Sequence, residues 1–206
     1  MKLKERKNIE SAKSAEKKHK NMIHLKEKYQ KQIIPAMKEK FGYKNSMAVP
    51  RIEKVVVNTG FGRISSEQTG KDQEKNIEYI LNDLSLICGQ SPVKTKAKKS
   101  IAGFKLREGM IVGAKVTLRG RKMYDFLERL IDITLPRSRD FRGIDKKAID
   151  ENGNLTIGIK EHICFPEVSP EKAKSIFGLE ITITINAKDR GKGIELLKLF
   201  GFPLKS

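Results

Sequence analysis

Val112-Gly113-Ala114-Lys115-Val116-Thr117-Leu118-Arg119 decides the architecture, because apolar and polar side chains alternate through it without a break. A strand sends successive side chains to opposite faces. This period of two therefore puts Val112, Ala114, Val116 and Leu118 on a dry face and Gly113, Lys115, Thr117 and Arg119 on one that can stay wet. Ile181, Ile183 and Ile185 alternate with Thr182, Thr184 and Asn186 in the same way. Sheets buried on one side only are characteristically antiparallel.

Working outward, Ile52 to Asn58 is rich in β-branched residues and ends at Thr59-Gly60-Phe61-Gly62, which predicts a strand entering a glycine-containing loop. Further strands fit Leu155 to Ile159 and His162 to Phe165. Helical spacing appears at Leu25, Tyr29, Ile33, Met37 and Phe41, interrupted by Pro35 and stopped at Gly42. It recurs at Ile77, Ile80, Leu81, Leu84, Ile87 and Cys88, with Gly89 as C-cap, and again at Met123, Phe126, Leu127, Leu130 and Ile131, with Pro136 marking the end. Ser169-Pro170-Glu171 has the chemistry of a short helix start, and Ile194, Leu197 and Phe200 mark a last helix. The expected fold is α+β: a largely antiparallel sheet with helices packed on one face, a polar face left for a ligand, and a long basic loop. Residues 22–206 form one such domain. Residues 1–21 hold too few apolar side chains to offset the entropy of ordering and make a basic arm, disordered or marginally helical.

Charge is concentrated rather than spread. The chain of 206 residues carries 43 Lys and Arg against 25 Asp and Glu, a net charge of +18. Residues 1–40 contribute +8 and residues 94–122 contribute +9, leaving the rest of the chain close to neutral. A surface built only for solubility intersperses both signs. The second concentration lies between strand-like runs, which points to a polyanion site built into the fold, with nucleic acid as the acidic partner. Val93 to Gly109, carrying Lys94, Lys96, Lys98, Lys99, Lys105 and Arg107, reads as a long exposed loop or a hairpin.

Two smaller features admit two readings each. Gly60 and Gly62 permit close backbone approach to RNA, or simply make a tight turn. Arg137-Ser138-Arg139-Asp140-Phe141-Arg142-Gly143 can grip phosphate or protein, or else Asp140 pairs with a neighbouring arginine while Phe141 packs.

Enzymes fit poorly. His19, His24 and His162 make no helical metal pair, no phosphate-binding loop or nucleophile elbow occurs, and Cys88 and Cys164 match no metal or redox spacing. Both cysteines are expected in the core, reduced, in a cytoplasmic protein. No apolar run reaches the ~18–20 residues of a membrane span. The basic amino terminus contains Glu5, Glu10 and Glu16, unlike an acid-poor transit peptide. A structural RNA-binding protein leads, with a free-standing RNA-binding or RNA-chaperone factor as the competing class.

Several phrases then fall in one order: Val49-Pro50-Arg51-Ile52-Glu53-Lys54, Asn58 with Gly60 and Gly62, Gly89-Gln90-Ser91-Pro92, Thr95-Lys96-Ala97-Lys98-Lys99-Ser100, Phe104-Lys105-Leu106-Arg107, Val116-Thr117-Leu118-Arg119-Gly120, Pro136-Arg137 with Arg139-Asp140-Phe141-Arg142-Gly143, and Gly201-Phe202-Pro203. In these, residues 25–206 resemble the bacterial type of the large-subunit ribosomal protein five family. The resemblance implies binding to 5S ribosomal RNA in the central protuberance, among large-subunit ribosomal RNA and neighbouring large-subunit proteins, with no cofactor. Family RNA contacts correspond to Asn58, Gln90 and Thr117, with Arg119 beside them. Gly60 and Lys115 join them from the reading of the glycine loop and the cationic strand. Thr95, Lys96, Lys98, Lys99 and Ser100 resemble the family's extension toward transfer RNA in the peptidyl site. Arg137, Arg139 and Arg142 lie in a part resembling the one that faces small-subunit protein thirteen in an intersubunit bridge. The basic arm has no counterpart in typical bacterial members, which begin near Ile23.

Overall fold

Two prolines shape the helices. In the computed structural model, which describes residues 24–62, 71–104, 106–139, 141–169, 171 and 175–205, Leu25–Lys28, Tyr29–Ile33 and Ile34–Phe41 follow one another as one continuous helix, α1. Its middle turn is of the wider π type. Pro35 has no N–H to donate to the carbonyl four residues back and its ring crowds that carbonyl, and the π turn just ahead of it relieves both problems. The interruption expected at Pro35 is thus a change of winding, and Gly42, at φ 69°, closes the helix by donating to the Lys38 carbonyl at 2.8 Å. The arm at 1–21, Lys105, Asp140 and most of the short helix expected after Ser169 lie outside the described residues.

Strand β1 (Ile52–Gly60) is followed by helix α2 (Lys71–Cys88), which Gly89 caps at φ 62° as its sequence predicts. Strands β2 (Val93–Lys96) and β3 (Ile111–Leu118) come next, and the stretch between them resolves the choice between loop and hairpin in favour of a hairpin. Gly120–Arg129, Leu130–Thr134 and Leu135–Arg137 then form helix α3, again with a π turn ending two residues before a proline. The helix ends at Arg137, one residue past Pro136, so the proline marks its end as expected. Just after a π turn the missing N–H costs little, as at a helix start. Strands β4 (Leu155–Ile159) and β5 (Leu179–Ile185) precede helix α4 (Arg190–Phe200), where the Asp189 side chain accepts the Gly191 N–H at 3.0 Å.

The strand expected at His162 to Phe165 is instead a 3-10 turn at His162–Cys164. His162, Cys164 and Phe165 are all buried, which no period-two strand with one wet face allows. The His162 ring stacks on Phe177 with centroids 3.9 Å apart, and its Nδ1 accepts the Phe177 N–H at 3.4 Å.

The five strands pair antiparallel throughout, in the order β2-β3-β1-β5-β4. One face carries Val55, Val57, Ala114, Val116, Leu118, Ile181 and Ile183, each at most 2% exposed. These join Met37 of α1, Leu84 and Ile87 of α2, Phe126 and Leu127 of α3 and Leu197 and Phe200 of α4 in one continuous apolar core. Burial of apolar area at roughly 25 cal/mol per Å² drives this side of the fold. Among the described residues no helix packs on the other face, whose rows are mostly polar.

Candidate nucleic-acid interface

The pairing register writes the open face as rows of side chains. Lys115 lies opposite Asn58, Asn58 opposite Glu180, and Glu180 opposite Gly158, one residue from each of four strands. The next row is Thr117, Val56, Thr182 and Thr156, in which the Thr156 and Thr182 hydroxyls are 3.3 Å apart. Beyond it, Lys54 lies opposite Thr184, while Arg119 directly follows β3. Directly opposite residues in a sheet are close enough to act together.

Gln90 enters from the turn after α2. Its Nε2 donates to the Thr117 carbonyl at 3.5 Å, which brings Gln90 and Thr117 together although 27 positions separate them. Asn58 Nδ2 donates to Glu180 Oε2 at 3.1 Å, so the amide is held with its carbonyl oxygen free. Asn58, Gln90, Lys115, Thr117 and Arg119 thus share one face. Gly60 ends β1 opposite Gly113, with open space where a Cβ would stand. A Cβ at Gly113 would sit 2.6 Å from the Thr59 carbonyl oxygen and 2.8 Å from Thr95 Oγ1, so glycine is needed where three strands crowd.

The five residues of the basic extension divide between its two ends. Thr95 and Lys96 belong to β2 at the hairpin base, whereas Lys98, Lys99 and Ser100 lie farther out and are exposed. Ser100 Oγ accepts the Glu108 N–H at 2.9 Å, and Ile101 pairs with Leu106, so the outer part is a tied structure. It carries Phe104 at 70% exposure among Lys98, Lys99 and Arg107. Arg137, Arg139 and Arg142 are exposed elsewhere: Arg139 lies 3.5 Å from Glu161, just after edge strand β4, at the opposite sheet edge from the hairpin. Phe141 packs on the core.

Lys54 and Glu180 on the open face were not singled out from sequence. Glu180 was legible, since it continues the Thr182, Thr184 alternation by one step. Lys54 was legible too, standing two residues before Val56 and four before Asn58; the β-bulge between Ile52 and Lys54 shifts the parity only ahead of it.

No catalytic constellation accompanies this face. Among the described residues no group of three or more His, Cys, Asp or Glu is placed to hold a metal ion, and no helix is long and apolar enough to cross a membrane. Cys88 and Cys164 are free and buried, and burial pushes the Cys88 thiol up to about 12, far from a reactive thiolate.

A sheet with one dry face and one polar face that carries Lys54, Lys115 and Arg119 is a surface suited to a polyanion such as RNA. The chain matches the ribosomal protein L5 family over residues 45–107 and that family's carboxy-terminal part over residues 111–204. It is 55% identical to the large ribosomal subunit protein uL5 of Desulforapulum autotrophicum, over 90% of this chain and all of that protein. It is 52% identical to that of Halothermothrix orenii and 50% to that of Alkaliphilus oremlandii, each over 88% of this chain and 98% of the relative. The chain belongs to the ribosomal protein L5 family: a non-enzymatic, structural protein of the large ribosomal subunit, with ribosomal RNA and other subunit proteins as its surroundings.

Proposed function

We propose that this protein anchors 5S ribosomal RNA in the central protuberance through the open face of its sheet and reaches the peptidyl-site transfer RNA with the β2–β3 hairpin. The observation that carries the reading is the convergence of Asn58, Gln90, Lys115, Thr117 and Arg119 on one undried face. Neutral amides and hydroxyls suit the shallow RNA minor groove with its 2′-hydroxyls, while the cations supply phosphate affinity.

Glu180 sharpens the assignment. A carboxylate beside Asn58 repels phosphate, so the RNA element facing Asn58 and Glu180 presents hydrogen-bond donors, from base edges or 2′-hydroxyls, while backbone lies toward Lys115 on the other side of Asn58. Arg137, Arg139 and Arg142, of which Arg139 lies by the far sheet edge, are the candidates for the intersubunit bridge to small-subunit protein thirteen. Residues 1–21 act as a basic arm along ribosomal RNA, appended to the domain at 22–206. Deleting residues 2–21 then weakens RNA affinity and flattens its salt dependence.

The test is a binding comparison of 5S ribosomal RNA with a length-matched structured RNA across a salt series. Tighter binding to 5S ribosomal RNA at every salt is expected. Equal affinity for both RNAs throughout would sink the specific partner.

A further inference from the structure

We infer that a second seat for RNA, specific for a backbone phosphate, lies at the end of the open face, in the cleft between the start of β1 and the start of α3. The cleft has a volume of about 420 Å³ and is lined by Arg51, Glu53, Lys54, Arg119 and Tyr124. It extends the sheet-face reading proposed above and rests on it.

Three cations line this one cleft, and among the described residues none of the three forms an ion pair. Three cations outnumber the single carboxylate of the lining, Glu53, which pairs with none of them, and like charges so gathered repel, so the free protein gains little in stability from holding them together. Elsewhere on the surface cations do find carboxylates: Lys40 is 2.8 Å from Glu195, and Lys31 is 3.0 Å from Glu27. The excess of positive charge in this cleft is what an anionic occupant would balance.

The cleft is also prearranged. The Arg51 N–H donates to Asn186 Oδ1 at 2.7 Å, the Asn186 N–H donates back to the Arg51 carbonyl at 3.2 Å, and Tyr29 Oη donates to the adjoining Pro50 carbonyl at 3.1 Å. The backbone beneath Arg51 is therefore fixed from two sides while its guanidinium stays free. Arginine's planar fork matches two phosphate oxygens at once, and lysine adds a point charge. Tyr124 offers a ring against which the attached sugar can rest.

Continuity selects RNA as the source of the phosphate. Lys54 stands two residues before Val56 in β1 and Arg119 two residues after Thr117 in β3, so both cations lie in the row next to the one that holds Thr117, Val56 and Thr182. A strand of RNA read by Asn58, Gln90 and Thr117 passes directly into the cleft. The division of labour is spatial: Glu180 keeps backbone away from the middle of the face, and Arg51, Lys54 and Arg119 draw it in at the end.

The double variant Arg51→Gln, Lys54→Gln tests this in the full chain, with 5S ribosomal RNA and a length-matched structured RNA as probes over a salt series and a melting curve of the free protein. Every RNA has phosphates, so the slope of log K against log salt should fall by about one unit on both RNAs, with the preference between them unchanged. The melting temperature should hold or rise. An unchanged slope on both RNAs overturns the cleft, as does a lowered melting temperature, which would make the two cations structural. Loss of preference by the unaltered protein is a different result: it overturns the 5S reading and leaves the slope to decide the cleft. Failure of the unaltered protein to bind either RNA overturns both.

Discussion

The two faces of the central sheet are built from the same strands, residue by residue in alternation, yet obey different rules. On the covered face, Val55, Val57, Val116, Ile181 and Ile183 are excluded from water and held by packing in every direction. On the open face, Asn58, Lys115, Thr117, Glu180 and Thr182 touch few neighbours and keep unused hydrogen-bonding capacity. Stability resides on one side of each strand and recognition on the other. A change of one residue in register would exchange them, so the strands must be locked as tightly for function as for folding.

Substitutions that sort the two faces should therefore separate stability from binding. The largest effect is expected from Phe126→Ala, which removes a fully buried ring packed on Phe165 and should cost about 3–5 kcal/mol in denaturant unfolding. Thr182→Ala on the open face should change stability by no more than about 0.5 kcal/mol. Equal losses from the two would erase the distinction.

The covered side should also be the one that feels acid. His162 is fully buried, and burial holds its imidazole below the usual histidine range, against an opposing pull from the Asp83 carboxylate 3.4 Å away. The unfolded chain then takes up a proton that the folded chain resists. Stability should be complete above about pH 6.5 and decline as pH falls below it toward the lowered folded value. His162→Phe should flatten that part of a melting-temperature profile; an equally steep profile would assign the acid sensitivity to other groups.

Next in size are changes on the open face that leave folding intact. Asn58→Ala should narrow the preference for 5S ribosomal RNA over a structured control by about 1 kcal/mol, by removing a neutral reading group. Glu180→Gln should narrow it from the other direction, by tightening the control RNA once the carboxylate no longer rejects backbone. Titrations showing both RNAs shifted alike would refute the discriminating role. The smallest effect belongs to Lys98→Ala on the hairpin, which should weaken all RNA equally and lower the salt slope by roughly 0.7–0.9 for one lost phosphate contact.

Much of this was legible in the amino-acid sequence because alternation is a local property. Val112 to Leu118 and Ile181 to Ile185 announce both their strands and their wet faces, and Gly42 and Gly89 mark helix ends that the structure keeps. What depended on distant partners was hidden. The His162 segment looks like a strand until Phe177 draws its ring inward. The π turns ahead of Pro35 and Pro136 leave no composition signal. Arg51 and Lys54 stand in a recognisable phrase, but only the β1–β3 register and the start of α3 bring them beside Arg119. The union of Gln90 with Thr117 is likewise tertiary.

Lysine acetylation footprinting, read residue by residue with and without 5S ribosomal RNA, addresses the two-face account most directly. Lys54 and Lys115 on the open face should be shielded by the RNA, while Lys75 on α2 and Lys198 on α4 remain as reactive as in the free protein. Shielding of Lys75 and Lys198 with Lys54 and Lys115 left reactive would place the RNA on the helical side and contradict the account.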